Sequence, residues 1–265
     1  MLECKLQEPK VFRSVVEAMS EHIKECNFEF TREGLKMQAL DSSHIAFTFV
    51  TLSATWWNEY RCDDEALLLG VNLETLLKIL KCGPDNSLLA LSYENDDDEV
   101  SELKVKFEVD RGEKKDVAEF ALKLTHIDPM EEEVPELTWT NELEMPTQEL
   151  FRIARDISLF SEIMVLEFDK DKLRISCSSK ESTADYLVHP FEDSTNASNS
   201  VRMNIEAPFK VSLTTHYVLS FAKNKNINER VVIKMIDAET PLMFSFSMKE
   251  GSGICYYIAG RLTDD

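Results

Sequence analysis

The sequence predicts an α+β chain of two similar strand-rich domains, each carrying two short helices, and three observations predict it. Most of the chain alternates apolar and polar residues with period two, as strands with one buried face do. Four stretches instead space their apolar residues as helices do. The order strand, helix, several strands, helix, strands occurs once before about residue 120 and again after about 140.

In chain order, Pro9 to Lys24 is the first helical stretch, with Phe12, Val15, Val16, Met19 and Ile23 on one side and Pro9 placed to open it. Leu35, Met37 and Ala39 then alternate as a strand. Asn72 to Cys82 (Leu73, Leu76, Leu77, Leu80) reads as a second helix with Asn72 as N-cap. Leu103, Val105, Phe107 and Val109 form the clearest strand of the first half. His126 to Leu137 carries two prolines and a triple Glu and reads as an extended connector. Thr147 to Leu159 (Leu150, Ile153, Ala154, Ile157) is the third helix, with Thr147 as N-cap. Strands follow at Leu173, Ile175, Cys177 and at Val201, Met203, Ile205. Ala207 to Lys225 (Val211, Tyr217, Val218, Phe221) is the fourth helix, and Phe244, Phe246 and Met248 close the series. The copies are offset by some 138 to 141 positions: LKMQALDSS (35–43) lies against LRISCSSKE (173–181), and VNLETLLKIL (71–80) against VSLTTHYVLS (211–220). Domains are expected at 1–120 and 140–265, with a connector at 121–139. Half-domains of this kind leave strand edges that must be covered or paired, and head-to-tail pairing between copies closes a ring when the rotation permits.

Composition narrows the chemistry. Six scattered cysteines without a C-x-x-C pair, and no apolar leader, fit a reducing compartment, and no window approaches a membrane span. Seven glycines leave little for glycine-lined phosphate loops, and no P-loop, dinucleotide fingerprint or nucleophile elbow occurs. His22, His44, His126, His189 and His216 show no metal-ligand spacing, so no cofactor or metal is expected. Ser42-Ser43-His44 reads as a tight loop, since neighbours on a strand point to opposite faces and make a poor dyad. Acidic runs such as Asp96-Asp97-Asp98-Glu99 read as solvated loops. A hydrolase built on loop carboxylates has no motif behind it, so the chain reads as a non-enzyme.

The net charge of −20 at first argues against polyanions. Counted over residues 9–24, 72–82, 147–159 and 209–225, however, the helical stretches carry +1, +1, 0 and +3, leaving −25 elsewhere. Arg13 and Lys24 lie about three turns apart, and Lys78/Lys81 and Arg152/Arg155 are each three apart. Such segregation points to a basic helical surface facing a polyanion.

Several segments in order also resemble one family. LDSSHIAF (40–47), YRCD (60–63), GVNLETLLKILKC (70–82), EMP (144–146), RIARDIS (152–158) and CYYIAGR (255–261) are similar to signatures of the proliferating cell nuclear antigen family of eukaryotic sliding clamps, and the resemblance runs from Met1 almost to the C-terminus. It implies the DNA clamp fold, in a homotrimeric ring with helices lining a channel around double-stranded DNA. It also implies a nuclear, non-catalytic processivity factor for replication and repair, tethering DNA polymerases, flap endonuclease, DNA ligase and other motif-bearing proteins, and opened by an ATP-driven clamp loader. A subunit of a heterotrimeric checkpoint clamp is the alternative. Carried over by position, the DNA-binding cations are Arg13, Lys78, Lys81, Arg152, Arg155 and Lys223. Ser14, Ser20 and Leu159 stand where relatives often have basic or His side chains, with Lys10 and Lys24 as compensation. The implied partner-peptide pocket comprises Leu40, His44, Ile45, Phe47, Val134, Pro135, Pro241, Tyr257 and Ala259. There Glu132 replaces a usual apolar residue and Gly260 a usual proline. Subunit closure is expected to pair Val117 to Leu122 with Thr183 to His189, near Cys82, Phe120, Ile157, Phe160 and Tyr186. Lys170 matches a lysine that relatives modify with ubiquitin or a ubiquitin-like protein.

Overall fold

The computed structural model describes residues 1–94, 101–112, 114–130 and 137–261. The chain divides into two compact units, one of residues 1–42, 48–133 and 248–254, the other of 43–47, 134–247 and 255–265.

The first unit is built from β1 (Leu2–Leu6), α1 (Pro9–Ser20), β2 (Glu25–Thr31), β3 (Gly34–Leu40), β4 (Ala46–Ser53, entered at residue 48), β5 (Glu59–Cys62), β6 (Leu67–Asn72), α2 (Leu73–Cys82), β7 (Leu88–Tyr93), β8 (Glu102–Asp110) and β9 (Lys115–Lys123). Its strands form a sheet of order β5-β1-β7-β8-β9 and a series β4-β3-β2-β6. The second unit repeats the plan element for element: β10 (Asn141–Pro146), α3 (Thr147–Ser158), β11 (Ile163–Asp169), β12 (Lys172–Ser178), β13 (Thr183–Val188), β14 (Arg202–Asn204), β15 (Phe209–Thr214), α4 (Thr215–Ala222), β16 (Arg230–Met235), β17 (Leu242–Ser247) and β18 (Gly253–Ile258, in this unit from residue 255). Its orders, β14-β10-β16-β17-β18 and β13-β12-β11-β15, are those of the first unit renumbered. Strand β9 therefore corresponds to β18, and β4 to β13.

Period-two alternation becomes register directly. In β8, Leu103, Val105 and Phe107 are buried opposite Leu122, Phe120 and Ala118 of β9. The helices bury their apolar stripes against such faces: Phe12, Val15, Val16 and Met19 from α1, Leu76 and Leu80 from α2. In the second unit Leu150, Ile153 and Ile157 of α3 and Val218 and Phe221 of α4 do the same. Phe221 stacks on Tyr256 with centroids 4.1 Å apart, and the Tyr256 hydroxyl meets Asn224 Nδ2 at 2.6 Å. Each such side chain contributes about 1.5–3 kcal/mol by leaving water. Within each unit the two helices pack on one another.

Four expectations need correction. The first helix ends at Ser20, which leaves Ile23 and Lys24 outside it. The fourth begins only at Thr215, because residues 209–214 form β15, whose Val211 and Leu213 are buried opposite Leu166 and Met164 of β11. Val211 belongs to a period-two run, and only Tyr217, Val218 and Phe221 are helical. Thr147 is not an N-cap but the first helical residue, buried, with its hydroxyl donating to the Asn228 carbonyl at 3.0 Å. Charge segregation weakens accordingly. Helices α1 to α4 proper carry +1, +1, 0 and 0, since Lys210 lies on β15 and Lys24, Lys223 and Lys225 lie beyond helix ends.

Candidate nucleic-acid and peptide interfaces

Arg13 lies on α1, Lys78 and Lys81 on α2, Arg152 and Arg155 on α3, and Lys223 just past α4. Helix α4 itself carries no Lys or Arg. Arg13, Lys78, Lys81, Arg152 and Arg155 each have a carboxylate partner within their own unit. Arg13 pairs with Asp85 and donates to the Gly83 carbonyl at 3.4 Å. Lys78 meets Glu74 one turn back at 2.7 Å, and Lys81 reaches Glu17 of α1 at 2.8 Å. Arg152 stands 3.9 Å from both Glu149 and Asp156, and Arg155 contacts Asp156 at 2.8 Å. The Lys78 hydrogen bond holds the Glu74 carboxyl below the usual range, and the Arg155 bond does the same for Asp156. Beyond the helices, Lys225 Nζ lies 3.4 Å from Gln148 Oε1. Leu159, at the end of α3, is 75 % exposed.

Of the residues expected in the peptide pocket, Leu40 belongs to the first unit and His44, Ile45, Phe47, Pro241, Tyr257 and Ala259 to the second. His44, in the left-handed region at φ 56°, turns the chain into β4. That turn presents Ile45, whose carbonyl accepts from the Ala259 N–H at 3.2 Å. Phe47 and Tyr257 lie with ring centroids 6.0 Å apart, and Trp139 adds a third ring 6.4 Å from Tyr257. Strand alternation explains the split between neighbours: Tyr256 points into the core while Tyr257 stays half-buried on the other face. Burial pushes the Tyr257 hydroxyl up to about 12. Pro241 and Ala259 are exposed. Trp139 was not among the expected residues, although an isolated Trp closing a polar connector was a visible signal. A Cβ at Gly260 would meet Val211 Cγ2 at 2.9 Å and the Ala238 carbonyl at 3.2 Å, so a larger residue there requires Val211 to move.

Leu40 belongs to the first unit, where it lines a groove of about 370 Å³ with Cys26, Gln38, Leu68, Ile127 and Met130. The start of the connector forms one wall. Asn27 Nδ2 donates to the carbonyls of Ile127 and Asp128 at 3.1 and 3.3 Å, and Thr125 N–H donates to the Gly70 carbonyl at 2.9 Å. Gly70 permits this approach, because a Cβ there would stand 1.9 Å from the Thr125 carbonyl oxygen. Val134, Pro135 and Glu132 lie outside the described residues, as does the acidic run 96–99.

Among the described residues, strands β9 and β13 each end a sheet with a single neighbour, β8 and β12 respectively. Phe120, half-buried, packs edge-on against Phe107 at 6.1 Å. Tyr186 donates to Asp156 Oδ2 at 3.3 Å and lies under Arg152, whose Cζ is 5.7 Å from the ring centroid. Phe160 is 48 % exposed and Cys82 is exposed. Ile157 is fully buried instead, because it faces the core side of α3, and presents no surface to another chain. Lys170 is exposed in the β11–β12 turn, where its N–H is held by Asp169 Oδ1 at 2.8 Å. Among the described residues no helix is long and apolar enough to cross a membrane and no three metal-ligating side chains cluster.

Comparison with known proteins gives two family matches that together span the chain. The family described as "Proliferating cell nuclear antigen, N-terminal domain" matches residues 1–133, and its C-terminal domain counterpart matches 133–261. Among similar proteins, the proliferating cell nuclear antigen of Chaetomium thermophilum is 28 % identical over 265 residues, and that of Saccharomyces cerevisiae 27 % identical over 265 residues. Each alignment covers the whole of both chains.

Proposed function

The chain belongs to the proliferating cell nuclear antigen family of DNA sliding clamps, and from that premise we propose that three copies close into a homotrimeric ring around duplex DNA in the nucleus, with α1 to α4 toward the DNA. The ring tethers polymerases and repair enzymes through the surface around Ile45, Phe47, Tyr257 and Ala259.

The observation that carries the homotrimer is the element-for-element repeat. Among the described residues strands β9 and β13 have one neighbouring strand each, and they are the counterparts of β18 and β4. Where segments adjoining those counterparts meet in the second unit, Ala259 N–H donates to the Ile45 carbonyl. An edge left open invites the same kind of pairing with another copy, and a head-to-tail contact that closes leaves neither of these two edges unpaired. Because each copy bears one of each edge, no second type of subunit is needed, and this favours the homotrimer over the heterotrimeric checkpoint arrangement.

An encircling ring stays on DNA by topology, so weak phosphate contacts without sequence reading suffice. Two measurements test the reading. The purified protein should have a mass about three times 30.4 kDa. Loaded by an ATP-driven clamp loader onto circular plasmid, it should be retained and then lost when the plasmid is linearised. A monomeric mass, or equal retention on free-ended DNA, overturns the proposal.

A further inference from the structure

The α1–α2 pair carries lysines whose charge is already answered on the same surface. Lys81 of α2 reaches across to Glu17 of α1 at 2.8 Å, and Lys78 is matched by Glu74 at 2.7 Å. All four side chains are half or more exposed, from 50 to 73 %. Ion pairs standing in water contribute little to stability, so holding the fold together is a poor account of these acids. Their effect on an incoming polyanion is larger. A phosphate that takes the ammonium leaves the carboxylate behind, within the roughly 8–10 Å over which charges act at moderate salt. The released acid then repels the strand that displaced it.

We propose that Glu17 and Glu74 are attenuating residues that limit the grip of the α1–α2 surface on duplex DNA. The proposal rests on the reading that this surface faces the DNA. For a ring retained by topology, tight phosphate contacts would only slow its movement along the duplex. A carboxylate beside each lysine keeps the contact exchangeable while preserving the attraction that centres the strand.

The test compares the wild-type protein with Glu17→Gln/Glu74→Gln for binding to a short, open-ended linear duplex across a salt series. Glu33→Gln, an exposed acid in the β2–β3 turn outside the helices, controls for the loss of negative charge in general. The double variant should bind about threefold or more tightly at low salt, with log K falling more steeply by about one unit per lysine unmasked. The gain should vanish when Lys78→Ala/Lys81→Ala is added. Unchanged affinity and slope, an equal gain from Glu33→Gln, or a gain that survives removal of the lysines overturns the proposal. Lys78→Ala/Lys81→Ala alone separates the two levels. If it leaves wild-type binding unchanged, the surface does not touch DNA and the underlying reading falls too. If it weakens binding while the Gln variants change nothing, the attenuation alone is refuted.

Discussion

At Asn72 the side-chain oxygen accepts the Thr75 N–H at 2.9 Å, which satisfies one of the donors that open a helix. The same reading failed at Thr147 because residue type does not say where a side chain's best acceptor lies. Its hydroxyl is turned to the Asn228 carbonyl, 81 positions away in sequence. The proposed peptide surface shows the same division. Ile45, Phe47 and Tyr257 were legible from the resemblance, but the ring of Trp139 joins them only through folding. Half-buried aromatic anchors dominate peptide recognition. Tyr257→Ala should therefore weaken binding of a Q-x-x-[aliphatic]-x-x-[aromatic]-[aromatic] peptide by about 2 kcal/mol, roughly thirtyfold, with Ile45→Ala similar in direction. Titration calorimetry would measure both, and trimer mass should be unchanged.

Among elements, charge follows strand pairing more closely than it follows the helices. Lys210, counted with a helix from sequence, sits on β15 opposite Glu167 of β11, 2.8 Å from its carboxylate. Glu167 also faces Arg174 of β12, which grips Asp185 of β13 at 2.7 Å, so one ladder crosses four strands. A second runs from β14 through β10 to β16, where Glu144 accepts from Arg202 at 3.1 Å and Arg230 at 2.5 Å. The Arg230 bond, then that of Arg202, holds the Glu144 carboxyl below its ordinary 4.5. Arg230 also donates to the carbonyls of Ala197, Ser198 and Ser200, which ties a loop to the strand. Because the folded pKa is depressed, the stabilisation is present above the ordinary value of 4.5 and is lost as pH falls through the lower folded value. Glu144→Gln should cost about 2 kcal/mol at pH 7, and the deficit should shrink in melts below pH 4.5. A deficit independent of pH would contradict the assignment.

At the scale of the proposed assembly, the proposed junction follows from the repeat. Phe120 and Tyr186 lie on the alternate faces of β9 and β13 that also carry the buried Leu122 and Val188. Phe120→Ala/Tyr186→Ala should shift the trimer–monomer midpoint upward in concentration by tenfold or more, read by mass against concentration, with each unit still folded. By itself the sequence determined the two-fold repeat, the strand alternation, three of the four helices to within a few residues, and the family. Those properties are written in local period and in motif order. It did not determine where β15 gives way to α4, that Ile157 faces inward, or that Arg13, Lys78, Lys81, Arg152 and Arg155 are already paired with carboxylates. Only the tertiary structure decided these, because helix and strand periods overlap over six residues, and because whether a lysine stands free depends on a carboxylate that pairing and packing bring beside it from elsewhere in the chain.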